Sequence, residues 1–185
     1  MKFLHKHVAL TFVITIALCG ACASASRMGN AVSRATAIMY DISGAPVGTA
    51  ELWQDPNGQV NVEIASLALP AGTHGIHFHE VAKCEGGATA FSTAGAHYNP
   101  LGKQHGLNNP LGAHAGDAPN VVIPSSGVGR VSFTSDRVTL TPGTISLFDA
   151  DGSSIVVHAN PDDQVSQPSG NSGPRIACGV VRALP

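Results

Sequence analysis

Charge is scarce in this chain. Asp, Glu, Lys and Arg make up 12% of its 185 residues, and the formal net charge is -2. With no basic surplus there is no electrostatic footprint for nucleic acid. A bilayer-spanning run is missing too. The one sustained apolar segment, Val8 to Leu18, has 11 residues, against the roughly 20 that a spanning helix needs. No stretch carries a convincing amphipathic-helix pattern, no segment repeats, and no tract is of low complexity. What is abundant is apolar residues (43%), glycine (21) and proline (12). That composition favours one compact, turn-rich, β-leaning domain over a coiled coil or a disordered tail.

The short apolar run is part of a leader. Lys2, His5, Lys6 and His7 precede it, and Ala23-Ser24-Ala25 follows as an A-x-A cleavage site. Residues 1–25 therefore read as a secretory signal peptide, and residues 26–185 as the mature domain. The run Leu18-Cys19-Gly20-Ala21-Cys22 offers a second reading, because it loosely resembles a bacterial lipoprotein box. Cys22 is then a candidate lipid anchor. Export to the periplasm or the extracellular space is expected either way. Cys84 and Cys178, 94 positions apart, are the only cysteines beyond the leader. In an oxidising compartment they are expected to pair, which in the chain-entropy account stabilises the fold by roughly 4 to 5 kcal/mol. Removing the leader takes away Lys2 and Lys6. Eight basic and 12 acidic side chains remain, a balance of -4.

From about residue 33 the pattern is short strands and turns. Strands are expected at 35–40, 47–54, 59–69, 75–81, 128–134, 144–148, 154–158 and 176–181. Asp55-Pro56-Asn57-Gly58 is a strong hairpin signal. Val60, Val62 and Ile64 alternate with Asn61, Glu63 and Ala65, so one face is apolar. Two long polar stretches, 82–120 and 159–174, break this rhythm. A structureless loop of nearly 40 residues is improbable in a compact domain unless it is functional or braced. The expected class is all-β, an antiparallel sandwich or flattened barrel with two functional loops.

Histidines concentrate in these regions. In HGIHFHE, alternation turns His77 and His79 to one face and Ile76 and Phe78 to the other. Their Cα atoms stand about 6 to 7 Å apart along the strand, so the two imidazoles can share copper or zinc. Alone, that pair is equally compatible with structural histidines. The long loop adds His97, His105, His114 and Asp117 in the spacing H-x7-H-x8-H-x2-D. Three imidazoles and a carboxylate suit tetrahedral zinc, and metal bonds would brace the loop. His158 closes the apolar run Ile155-Val156-Val157; on its own it reads as a strand-end residue.

Taken together, HGIHFHE, GAHYNP, GAHAGD, VVHANPDD and GNSGPRIACGV resemble the copper/zinc superoxide dismutase family, in order and near its spacing, over roughly residues 37–181. The resemblance implies an eight-stranded Greek-key β-barrel or sandwich, immunoglobulin-like in architecture. It implies copper on His77, His79, His97 and His158, and zinc on His97, His105, His114 and Asp117, with His97 shared. It matches Cys84 and Cys178 to the family's disulfide, and Asp162 to a carboxylate linking His105 with His77. Arg175 matches the arginine beside copper, Ser169 falls near a hydroxyl position at the channel mouth, and His74 matches a structural histidine.

The activity so implied is dismutation of superoxide, an antioxidant reaction with Arg175 and His97 as the catalytic side chains and a small anion as the partner. A redox-cycling metal is required, and zinc cannot serve. Since the mature chain is mildly acidic, Arg175 and the metals must supply the local attraction. Only 16 residues separate His158 from Arg175, and none is lysine or glutamate, so guidance rests more heavily on Arg175 than in animal members. Arg182 near the end of the chain argues against an animal-type dimer and leaves monomer or another homodimer.

Overall fold

The computed structural model describes residues 33–86 and 89–185; the leader at residues 1–25, with Cys22, lies outside them. Ten strands follow in order: β1 (Arg34–Asp41), β2 (Pro46–Gln54), β3 (Val60–Ala68), β4 (Gly72–His74), β5 (Ile76–His79), β6 (Val121–Ile123), β7 (Val128–Ser135), β8 (Ser154–His158), β9 (Arg175–Val180) and β10 (Arg182–Ala183). The main sheet runs β5-β8-β9-β1-β2-β3-β7, with β10 also on β1, while β4 and β6 form a separate ribbon. All these pairings are antiparallel.

Period-two alternation builds the core. Ala35, Ala37 and Met39 of β1, Leu52 of β2, Val60, Val62 and Ile64 of β3, and Val131 and Phe133 of β7 all point inward. Asp55 turns the β2–β3 hairpin. Its carboxylate accepts from the backbone of Asn57 and Gln59, and Gly58 follows with φ +86°. The opposing wall comes from Ile76 and Phe78 of β5, Ile155 and Val157 of β8, and Ala177 of β9.

Of the two expected architectures the structure selects the sandwich, and two strand expectations are corrected. The sheet does not close into a barrel: β5 and β7 are its two edges, and the architecture is a β-sandwich. Residues 144–148 are turns with one isolated bridge, from Ser146 to Thr139, because Leu147 is drawn into the core and the Ser146 carbonyl accepts from the buried Tyr98 hydroxyl. The strand expected at 75–81 spans only Ile76–His79, and Gly75 separates it from β4.

β5 and β8 differ from the other long strands in being buried on both faces. Their inner face meets the core, and the two long loops cover their outer face. That outer face carries the histidines.

Candidate metal centre

β5 is an edge strand with its open side occupied. The Phe78 backbone accepts from Tyr98 N–H and donates to the Gly116 carbonyl, both at 2.9 Å, and Glu80 N–H donates to Ala96 at 3.0 Å. Isolated bridges join His79 to His97 and His77 to Asp117. The first long loop is thus stitched to the strand at two points, which carry His97 and Asp117. On the other side His77 pairs with Val156 and His79 with Ser154. His158 follows Val156 by two residues and so faces the same side, at a register shift in its pairing with β9.

Hydrogen bonds fix each ring's tautomer. His77 Nε2–H donates to Asp162 Oδ2 (2.7 Å), His79 Nδ1–H to the Gly95 carbonyl (3.0 Å), and His158 Nδ1–H to the Gly173 carbonyl (3.0 Å). His97 Nδ1 lies 2.9 Å from Asp117 Oδ1. The nitrogens left over are His77 Nδ1 and the Nε2 atoms of His79, His97 and His158. All four are buried and without a hydrogen-bond partner. A buried polar atom normally has a partner, so four such lone pairs within 4.8 Å of one another are a donor set. Burial pushes the His77 ring down to about 3, His158 to about 4, and His79 and His97 below their ordinary value. Neutral imidazole is the form that binds metal.

A second set adjoins the first. The Nδ1 atoms of His97, His105 and His114 surround Asp117 Oδ1 at 2.9, 2.9 and 3.3 Å. The other carboxylate oxygen is held by Gly106 and His114 N–H groups at 2.8 and 3.0 Å. Burial would raise the Asp117 carboxyl, but the three rings and the Gly106 N–H hold it well below the usual carboxylate range. These four donors also lie within 4.8 Å of one another. His97 belongs to both sets, one nitrogen to each.

Asp162 joins the halves. Its Oδ2 takes His77, and its Oδ1 accepts from His105 Nε2 at 3.0 Å. Arg175 is fixed by two carbonyls, Phe91 at 2.7 Å and Gly95 at 2.6 Å. The Gly95 carbonyl is also the acceptor for His79, so the guanidinium stands beside the first donor set. Cys84 and Cys178 are bonded, with Cα atoms 5.6 Å apart, and they pack with Phe91, Ala94 and Val156 behind that loop. His74 lies outside both sets, its ring nitrogens each 2.8 Å from a backbone carbonyl, of His158 and of Pro70. Ser169 is half-buried in the second loop.

The sequence reading missed several supports. The Asn120 amide pairs with both backbone groups of Asp162, at 2.7 and 2.8 Å. Arg137 donates to the Asp117 carbonyl at 2.9 Å. Gln164 and Gln167 reach the first loop from the second. Polar loop residues at such separations carry no periodicity that would have flagged them.

Residues 47–181 match the family model described as copper/zinc superoxide dismutase (SODC). The chain belongs to the copper/zinc superoxide dismutase family. It is 41% identical to Superoxide dismutase [Cu-Zn] 2 of Aquifex aeolicus, covering 80% of this chain and 86% of that protein. It is 36% identical to the Extracellular superoxide dismutase [Cu-Zn] of Onchocerca volvulus, covering 83% and 77%. Among solved structures it resembles a SOD-like protein from Bacillus subtilis, with a TM-score of 0.74 and 34% identity over 78% of this chain and 96% of that one.

The two donor sets fit the metals of a copper/zinc superoxide dismutase. Four imidazole nitrogens suit copper. Three imidazoles and a carboxylate suit tetrahedral zinc, and the carbonyls and Asp162 are the partners that orient metal-binding rings.

Proposed function

We propose that His77, His79, His97 and His158 hold copper, that His97, His105, His114 and Asp117 hold zinc, and that the pair serves superoxide dismutation, the activity of this family. One observation carries the assignment: four buried imidazole nitrogens without partners converge next to a carboxylate-centred set, and one ring serves both. Copper, when bound, supplies one-electron chemistry by alternating between Cu(II) and Cu(I), and zinc supplies a fixed positive charge.

The residues do the rest. Two superoxide anions and two protons become dioxygen and hydrogen peroxide, so the site must attract an anion and deliver protons. Arg175 offers a guanidinium anchored by two carbonyls, with its remaining N–H capacity available to a small anion. His97 can hold a proton at Nε2 while Nδ1 stays beside Asp117. Asp162 keeps His77 and His105 in their metal-binding tautomers.

We further read residues 1–25 as a removed leader, with Cys22 as an alternative lipid anchor, and the mature domain as working in the periplasm or outside the cell. The Cys84–Cys178 disulfide supports this, because such bonds persist in oxidising compartments. Among the described residues no helix is long and apolar enough to cross a membrane.

Metal analysis joined to a superoxide-decay assay tests the assignment. One copper and one zinc per chain are expected, with catalysed decay. His158→Ala is expected to lose copper while keeping zinc. A variant that keeps copper at the normal stoichiometry contradicts the copper assignment, and metal-loaded protein without activity points to a metal store.

A further inference from the structure

The second loop, residues 159–174, contains no lysine, arginine or glutamate, yet it is packed tightly onto the first. Beside the Asp162 contacts with His105 and Asn120, two glutamines make the junction. The Gln167 amide pairs with both backbone groups of His105: His105 N–H donates to Oε1 at 2.9 Å, and Nε2 donates to the His105 carbonyl at 2.9 Å. The buried Gln164 spans the two ends of the zinc half. Its Oε1 accepts from Leu107 N–H at 3.3 Å, and its Nε2 donates to the Ala118 carbonyl at 3.1 Å. Leu107 is two residues beyond His105, and Ala118 directly follows Asp117.

The backbones approach closely enough to make this contact specific. Gly106 has φ +110°, and a Cβ there would lie 2.2 Å from the Gln164 carbonyl oxygen. Gly170 has φ +63°, and its Cβ would fall 2.7 Å from His105 Nε2. Only glycine tolerates either position.

Loop backbone cannot satisfy its N–H and C=O groups through a sheet ladder, so other partners must do so. A carboxamide donates and accepts at once and adds no charge beside two cations. A carboxylate could only accept, and a lysine could only donate.

We propose that Gln164 and Gln167 are positioning residues for zinc. They act through His105 and Asp117, fixing the backbone from which two ligands project. The inference rests on the zinc assignment above. It gives the short second loop a structural task in place of the charge-based guidance it lacks.

The test uses the full mature protein and zinc ion itself, titrated against a chromophoric chelator. Gln164→Met and Gln167→Met keep side-chain length and remove both hydrogen bonds. Each is expected to weaken zinc binding by about tenfold, the low end for losing such a supporting partner. Cobalt(II) loaded into the same site reports ligand geometry through its visible spectrum, and a changed spectrum is expected in both variants. Gln167 is exposed, so its variant keeps the test open if Gln164→Met does not fold. Unchanged zinc affinity and an unchanged cobalt spectrum, with only a lower melting temperature, would overturn the positioning role while leaving the zinc assignment intact. If the unmutated protein takes up no zinc on these residues, the assignment falls and the inference with it.

Discussion

At the scale of single residues, the site is organised by which nitrogen of each imidazole is already engaged. His79 and His158 give Nδ1–H to carbonyls and present Nε2. His77 does the reverse, because Asp162 holds its Nε2. Three backbone or carboxylate acceptors therefore decide where the lone pairs point. Arg175 depends on the same backbone, through Phe91 and Gly95. Phe91 adopts φ +55°, uncommon for a non-glycine residue, and its carbonyl accepts from the guanidinium. Arg175→Ala should leave copper and zinc content unchanged and lower the superoxide-decay rate constant by about tenfold or more, the scale of electrostatic guidance. The salt dependence of that rate should flatten in the variant. An unaltered rate with an unaltered salt profile would remove Arg175 from the guidance role.

At the scale of elements, β5 and β8 carry three of the four proposed copper ligands, His77, His79 and His158, and the two loops carry nearly everything else. His77, His79 and the strand alternation behind them were legible in the sequence, because Ile76 and Phe78 alternate with them and need a core. The loop ligands were legible as spacing and as family resemblance, but the contacts between the loops were not. Gly106 is the clearest case. In the sequence it is one of 21 glycines; in the fold it is where one loop's backbone meets the other's. Gly106→Ala should destabilise the protein by about 1 to 3 kcal/mol, the cost of strained backbone, and should weaken zinc binding more than copper binding. Denaturant unfolding and separate metal titrations measure both. A variant equal to the parent in each would show that the loops are not interlocked there.

At the scale of the whole molecule, the buried histidines make metal-free stability depend on pH in two directions. In the unfolded chain a histidine titrates near 6.5. Burial holds His77 near 3 and His158 near 4 in the folded chain, so the unfolded state takes up protons first as pH falls below about 6.5. Stability contributed by these neutral rings is present above 6.5 and is lost as pH drops through 4 and 3. His105 behaves oppositely. Burial would lower it, but hydrogen bonds to Asp117 and Asp162 prevail and hold it up at about 9. Its contribution is full below 6.5 and is lost as pH rises through 9. The melting temperature of metal-free protein should therefore peak near neutral pH and fall on both sides. Metal-loaded protein should be flatter, since ions replace protons on the same nitrogens. A metal-free melting temperature that stays constant between pH 4.5 and 6.5 would contradict the buried neutral state of these rings.

By itself the sequence determined the strand class, the inward and outward faces of the long strands, the candidate ligands and the cysteine pair, because these depend on local period and on residue type. Tertiary structure decided that the sheet stays open, that residues 144–148 turn into the core, which nitrogen each ring presents, and which side-chain amides join the two loops. Those outcomes depend on partners far apart in sequence, 85 positions in the case of His77 and Asp162. No local pattern encodes such a distance; only the packed chain brings the acceptors to the rings.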